Sequence, residues 1–142
     1  MTIRHAVIIG AIGLAACSSS PTAPEQSLGA AFVVVTVTHA SFSAPSDMPT
    51  LTVDATIRNP GSAPVRFLPD CGGDFSIERW TDGQWVPWAL TACRSGDFVT
   101  LAAQESRAAT RSFVIQPGTF RLAVHDGLDP DRVAYSASFE AR

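Results

Sequence analysis

Cys71 to Cys93, CGGDFSIERWTDGQWVPWALTAC, is the stretch whose reading decides the fold, and it holds all three tryptophans of the chain. It reads as one β-hairpin with a cysteine at each end of its open side. Asp82-Gly83 suits a two-residue type I′ turn, because both central positions of that turn need φ > 0, and strand formers flank it. Such a turn fixes the register: Thr81 faces Gln84, Trp80 faces Trp85, Arg79 faces Val86 and Ile77 faces Trp88. Alternation then puts Phe75, Ile77, Val86, Trp88 and Leu90 on one face, and Ser76, Glu78, Trp80 and Trp85 on the other. The first set is expected to face a core, so Trp88 is assigned to packing. The second places a cross-strand tryptophan pair near the tip on the solvent side, where such a pair adds up to about 1 kcal/mol to the hairpin. Carried outward, the register brings Cys71 and Cys93 within one residue of facing each other. Gly72-Gly73 supplies the bulge or bend that restores the match.

The chain has 142 residues, enough for one domain plus appendages. It is 46% apolar with ten Gly and ten Pro, a composition that suits short strands broken by turns. All ten basic residues are arginine, and the net charge is −3. Removing a leader that carries Arg4 leaves 9 Arg against 13 acids, or −4. No nucleic acid partner is expected from that balance, nor any attraction to anionic head groups.

The leader localises the protein. MTIRH is a short n-region with Arg4 positive, and Ala6 to Ala16 is an apolar run too short to span a bilayer but right for a signal peptide. It ends in Leu14-Ala15-Ala16-Cys17, which closely resembles a bacterial lipobox. The resemblance implies that residues 1–16 are a lipoprotein signal peptide and that the Cys17 thiol receives a diacylglycerol before cleavage. An ordinary secretory leader with an incidental cysteine is the competing reading. With several acyl chains on Cys17, the protein is anchored stably to a membrane without spanning it. Assigning Cys17 to lipid leaves Cys71 and Cys93 as a pair, which an oxidising envelope compartment turns into a disulfide. Closing that loop of about 20 residues stabilises the fold by roughly 3 kcal/mol in the chain-entropy picture. A metal site or reactive thiol is the alternative, but no CxxC spacing or nearby histidine accompanies either cysteine.

Residues 17–29 read as a lipid-anchored tether, because SSSPTAPEQSLG is rich in Ser, Pro and Ala and lacks apolar periodicity. Ser18 after the lipidated cysteine resembles the outer-membrane sorting pattern of a Gram-negative host. Residues 30–142 form the domain. AAFVVVTVTHASF reads as a strand, Leu51 to Arg58 alternates with Leu51, Val53, Ala55 and Ile57 inward, and Asn59-Pro60-Gly61 turns the chain. Val65 to Leu68 is a short strand leading to the hairpin. Beyond Cys93, Phe98 to Leu101 and Arg107 to Ile115 are strands, followed by one with Phe120, Leu122 and Val124 inward. A last strand has Val133, Tyr135, Ala137 and Phe139 inward. About eight strands with a turn signal roughly every ten residues predict an all-β antiparallel β-sandwich.

Asn59-Pro-Gly-Ser-Ala-Pro64-Val65, then Trp80-Thr-Asp82-Gly83 with Trp85, then Pro117-Gly-Thr-Phe120-Arg-Leu122, resembles immunoglobulin-like domains of bacterial envelope lipoproteins. It is similar, more distantly, to the bacterial intracellular proteinase inhibitor domain. The likeness covers about Leu51 to Val124 and implies an immunoglobulin-like fold. Cys71 and Cys93 have no counterpart in the inhibitor pattern.

Trp80 and Trp85 are the candidate ligand contact, since exposed indoles stack on sugar rings or anchor protein interfaces. Cover by a neighbouring loop or strand is the competing reading. No catalytic residue is assigned: GxSxG and HExxH are absent, and outside the leader only His39 and His125 remain. His125 is expected to point to solvent. Asp126, Asp129 and Asp131 have oxygens that suit calcium, but their spacing is not that of an EF-hand and reads as a turn, so no metal or cofactor is assigned. The expected function is a non-enzymatic, lipid-anchored binding module of the cell envelope whose partner is an envelope protein or glycan. The alternative is a proteinase inhibitor acting through an exposed loop, Ser41 to Pro49 or Asp97 to Arg107.

Overall fold

The computed structural model describes residues 32–43, 48–69, 73–88, 97–129 and 131–142. The segments expected to be a signal peptide (1–16) and a tether (17–29), and with them Cys17, Cys71, Leu90 and Cys93, lie outside these residues. Among the described residues ten strands follow one another: β1 (Val34–Ser43), β2 (Thr50–Arg58), β3 (Val65–Leu68), β4 (Ser76–Thr81), β5 (Gln84–Pro87), β6 (Val99–Leu101), β7 (Ser106–Val114), β8 (Gly118–Asp126), β9 (Val133–Tyr135) and β10 (Phe139–Ala141). All pairings are antiparallel. One sheet has the order β1-β2-β7; the larger has β5-β4-β8-β3-β6, with β9 and β10 also on β8.

The sheets face each other across one apolar layer. Leu51, Val53, Ala55 and Ile57 of β2 are buried as the alternation requires, and so are Phe113 and Ile115. Phe67, Phe75, Ile77, Phe120, Leu122 and Val124 meet them from the larger sheet. Apart from β5, the strands give alternate residues to that layer, which is the immunoglobulin-like sandwich solution to burying two half-apolar sheets.

The larger sheet is made of interrupted rails. Along one edge of β8, β3 pairs Leu68 with His125, and β4 then continues from Ser76 opposite Ala123 to Arg79 opposite Phe120. Along the other edge, β9 pairs Tyr135 with Ala123 and β10 pairs Phe139 with Phe120. At the second break Ser136 fills the ladder: its N–H donates to the Leu122 carbonyl at 3.0 Å and its Oγ accepts from Leu122 N at 2.9 Å. The break at Ser136 divides the last predicted strand into β9 and β10. It also corrects the last strand. His125 and Ala123 face outward, so their partners Val133 and Tyr135 do too, and Ala134 is the buried residue, 2% exposed.

Asn59, expected only to punctuate a turn, is wholly buried. Its Nδ2 donates to the carbonyls of Ala63, Leu101 and Ala102, and its Oδ1 accepts from Gly61 N. Gln104, at φ 61°, completes this end by donating to Pro60 and Gly61 carbonyls while accepting from Arg58.

Candidate contact site at the hairpin tip

The hairpin has the register its turn dictates. Asp82 and Gly83 sit at φ 51° and 83°, Thr81 pairs with Gln84, and Trp80 pairs with Trp85. Ile77 is buried, and the two tryptophans lie on the opposite face. Trp88 is different. It shares the inner face with Ile77 as expected, yet it is 37% exposed, and Val86 is 38% exposed. The assignment of both to the core is corrected by topology: β5 is the edge strand, and the opposing sheet ends at β7. Trp88 bridges that open side, its Nε1 donating to the Val114 carbonyl at 3.0 Å.

On the outer face the tryptophans build a cluster. Their rings meet edge to face, 5.1 Å between centroids at 61°, an arrangement aromatic quadrupoles favour. Beside them Arg121 of β8 is buried, with its guanidinium 4.6 Å from the Trp85 ring centroid and 3.6 Å from that of Tyr135. Glu78 neutralises it, accepting from Nε at 2.7 Å and lying 2.6 Å from Nη2. A planar, weakly hydrated cation between two rings, held by a carboxylate, is an arrangement that lysine does not reproduce. Burial first, and the Glu78 carboxylate second, push the Tyr135 phenol above its ordinary value, while Arg121 pulls it back. Trp80, Trp85 and Tyr135 are each half-buried. The Trp85 Nε1 is buried with no hydrogen-bond partner among the described residues.

Arg121, Glu78 and Tyr135 are thus the members of the site that sequence reasoning did not single out. Glu78 and Arg121 both fall on the outward parity of their strands, which is a signal. Their juxtaposition depends on the β4–β8 pairing of Glu78 with Arg121, which joins residues far apart in the chain.

The other candidates are placed separately. His125 is half-buried on β8, not on the solvent surface as expected, and His39 is exposed on β1 opposite Asp54. Asp126 Oδ1 accepts from Leu128 N at 2.8 Å and its Oδ2 lies 3.4 Å from Arg132 Nη1; Asp129 Oδ1 accepts from Asp131 N at 3.3 Å. These carboxylates stitch their own turn. No group of three or more potential metal ligands occurs among the described residues. Of the two loops weighed for inhibition, Ser41–Ser43 belongs to β1 and 44–47 lies outside the described residues. The second contracts to the exposed turn 102–105 between β6 and β7, where Glu105 Oε2 accepts from Ala102 N at 2.6 Å.

Among solved structures, the chain is similar to the ASH/PapD-like domain of human CEP192 (PapD-like domain 7). The likeness has a TM-score of 0.39 at 12% identity and covers 87% of this chain and 92% of that one. No family model and no curated protein matches the chain.

Proposed function

We propose that this protein is a non-enzymatic binding module of the cell envelope, held to a membrane by lipid on Cys17, and that Trp80 and Trp85 are its contact. The observation that carries the reading is the aromatic pair itself. Both indoles sit outside the core, half-buried, and are locked by each other and by Arg121. Large aromatics held in one rotamer lose little entropy on binding, which is why they anchor interfaces. A buried indole N–H without an acceptor among the described residues costs stability.

Capture from an envelope extract tests it. Trp80→Ala with Trp85→Ala is expected to abolish capture of a partner that the native chain retains, with circular dichroism confirming the fold; undiminished capture removes the site. Anchoring is tested separately. Cys17→Ser is expected to stop lipid labelling and release the chain from membranes, and unchanged retention defeats that part. The accompanying Cys71–Cys93 disulfide predicts no free thiol at either position after denaturation without reductant. Proteinase inhibition is the second reading, favoured by the tied, exposed turn 102–105, and a tight complex with a protease that is lost on altering that turn would replace the first.

A further inference from the structure

The main chain of β5 can be assigned group by group. Trp88 N donates to the Ile77 carbonyl at 2.9 Å, so Ile77 and Trp88 form a hydrogen-bonded pair. Such pairs alternate along an antiparallel ladder. Arg79–Val86 and Thr81–Gln84 are therefore bonded pairs, while Trp80–Trp85 and Glu78–Pro87 are not. It follows that the N–H and C=O of Trp85 and the C=O of Pro87 point away from β4. No described strand lies there, because β5 ends the larger sheet. The side chains along this edge are apolar on both faces: Trp85 outside, and Val86 and Trp88 inside at 38% and 37% exposure.

The other open edges are differently equipped. Arg107 and Arg111 of β7 reach across to Asp74 and to the Phe75 carbonyl, each at 2.5 Å, and so guard that edge. β1 carries a register shift between Val37 and His39, and Thr36, His39 and Ser41 beside it are exposed. β6, β9 and β10 are only three residues long each. Of these edges among the described residues, β5 is the one that combines outward-pointing backbone groups with a half-buried indole on one face and exposed apolar side chains on the other.

We propose that the β5 edge accepts an extended polypeptide strand from the partner, apolar at successive positions. The partner residue facing Trp85 accepts its N–H and donates an N–H to its carbonyl, while neighbouring side chains cover Trp85 outside and Val86 and Trp88 inside. This rests on the Trp80/Trp85 contact reading and names its partner as polypeptide, since a glycan has no alternating N–H and C=O groups to continue a ladder. With so few main-chain bonds on offer, the side-chain contacts carry most of the affinity.

The test uses the full chain in detergent with two lysine-flanked peptides sharing a central Val-Ile-Val-Ile-Val run, one of them N-methylated at every residue of that run, so that neither of its edges can donate. Amide hydrogen exchange at Trp85 and peptide affinity are read together. Trp85 N–H is expected to exchange freely in the protein alone and to slow by about tenfold or more with the plain peptide. The N-methylated peptide, with the same side chains and an incomplete backbone, is expected to produce no slowing. Val86→Ser, at a position already open to solvent, is expected to keep the fold and weaken the plain peptide by about tenfold through lost apolar contact. Strand addition is overturned if Trp85 N–H is already protected in the free chain, if neither peptide binds, or if both bind alike. The two readings fail separately: a partner captured through Trp80 and Trp85 without slowing of the Trp85 amide leaves the contact site standing and removes strand addition.

Discussion

The outer faces of the two sheets obey the same alternation and end in opposite states. On the three-stranded sheet, β2 buries Leu51, Val53, Ala55 and Ile57 and turns Thr50, Thr52, Asp54 and Thr56 outward. Its hydroxyls bond laterally, Thr52 Oγ1 to Ser112 Oγ at 2.9 Å and Thr110 Oγ1 to Asp54 Oδ1 at 2.6 Å, in a layer that water reaches. On the larger sheet, β8 is buried from both sides. Phe120, Leu122 and Val124 enter the core, and Arg121 and Ala123, on the outward parity, are buried as well. Trp85 and Tyr135 roof that side. The difference shows that parity decides which face a residue takes, whereas burial depends on what the neighbouring strands carry. A one-sided sheet needs only polar residues outside. A roofed one builds a second small interior, and the charged pair within it gives up hydration that only good geometry returns.

The largest expected effect breaks the roofed face at its centre. Arg121→Ala should lower unfolding stability by about 3 kcal/mol in urea denaturation, because it strands the Glu78 carboxylate in a largely dry site and empties the space between two rings. Adding Glu78→Leu to Arg121→Met should recover most of that loss, since the penalty belongs to the unpaired charge. If the single and double variants are equally destabilised, the pair is not what organises this face. Trp85→Ala, which removes one ring and leaves the ion pair, should cost about 1–2 kcal/mol by the same measurement.

A titration sharpens the same contrast without altering the face. Tyr135 is the only tyrosine in the chain, so its phenolate absorbance can be followed alone. Burial and Glu78 hold the phenol above its ordinary value against the pull of Arg121. The fold therefore favours the neutral phenol. Its stabilising contribution is complete below the unfolded value of about 10 and is lost as pH rises through the folded one. The absorbance midpoint should fall above that of the unfolded chain, and Tyr135→Phe should flatten the alkaline end of the stability profile. A midpoint at or below the unfolded value would mean that the roof is open to water.

Local chemistry made the hairpin legible, since Asp82-Gly83 dictates the turn and the turn dictates the pairing of Trp80 with Trp85. What stayed hidden depends on distant chain. Trp88 carries the right parity for the core, but its exposure follows from how far the opposing sheet extends, which no window around Trp88 contains. The partnership of Glu78 and Arg121 requires knowing that β4 lies beside β8. Asn59 looks like a turn residue, and its buried hydrogen bonds come from carbonyls that the fold brings from Leu101 and Ala102. Alternation counted from Phe139 puts Tyr135 inward only in an unbroken strand, and the break at Ser136 reverses the parity. The site was thus half legible: its rings were visible in the sequence, and the charges that fix them were not.

The smallest effect belongs to the hydroxyl face. Thr52→Val removes one lateral hydroxyl bond at an exposed position and substitutes a residue that strands favour equally well. The Ser112 hydroxyl left behind turns to water, so no group is stranded. Stability should change by no more than about 0.5 kcal/mol in either direction. Set beside Arg121→Ala, this measures the contrast between the faces directly. A loss approaching that of the arginine variant would show the hydroxyl layer to be cooperative, and the outer face of the smaller sheet would then count as part of the folded interior and not as a solvated surface.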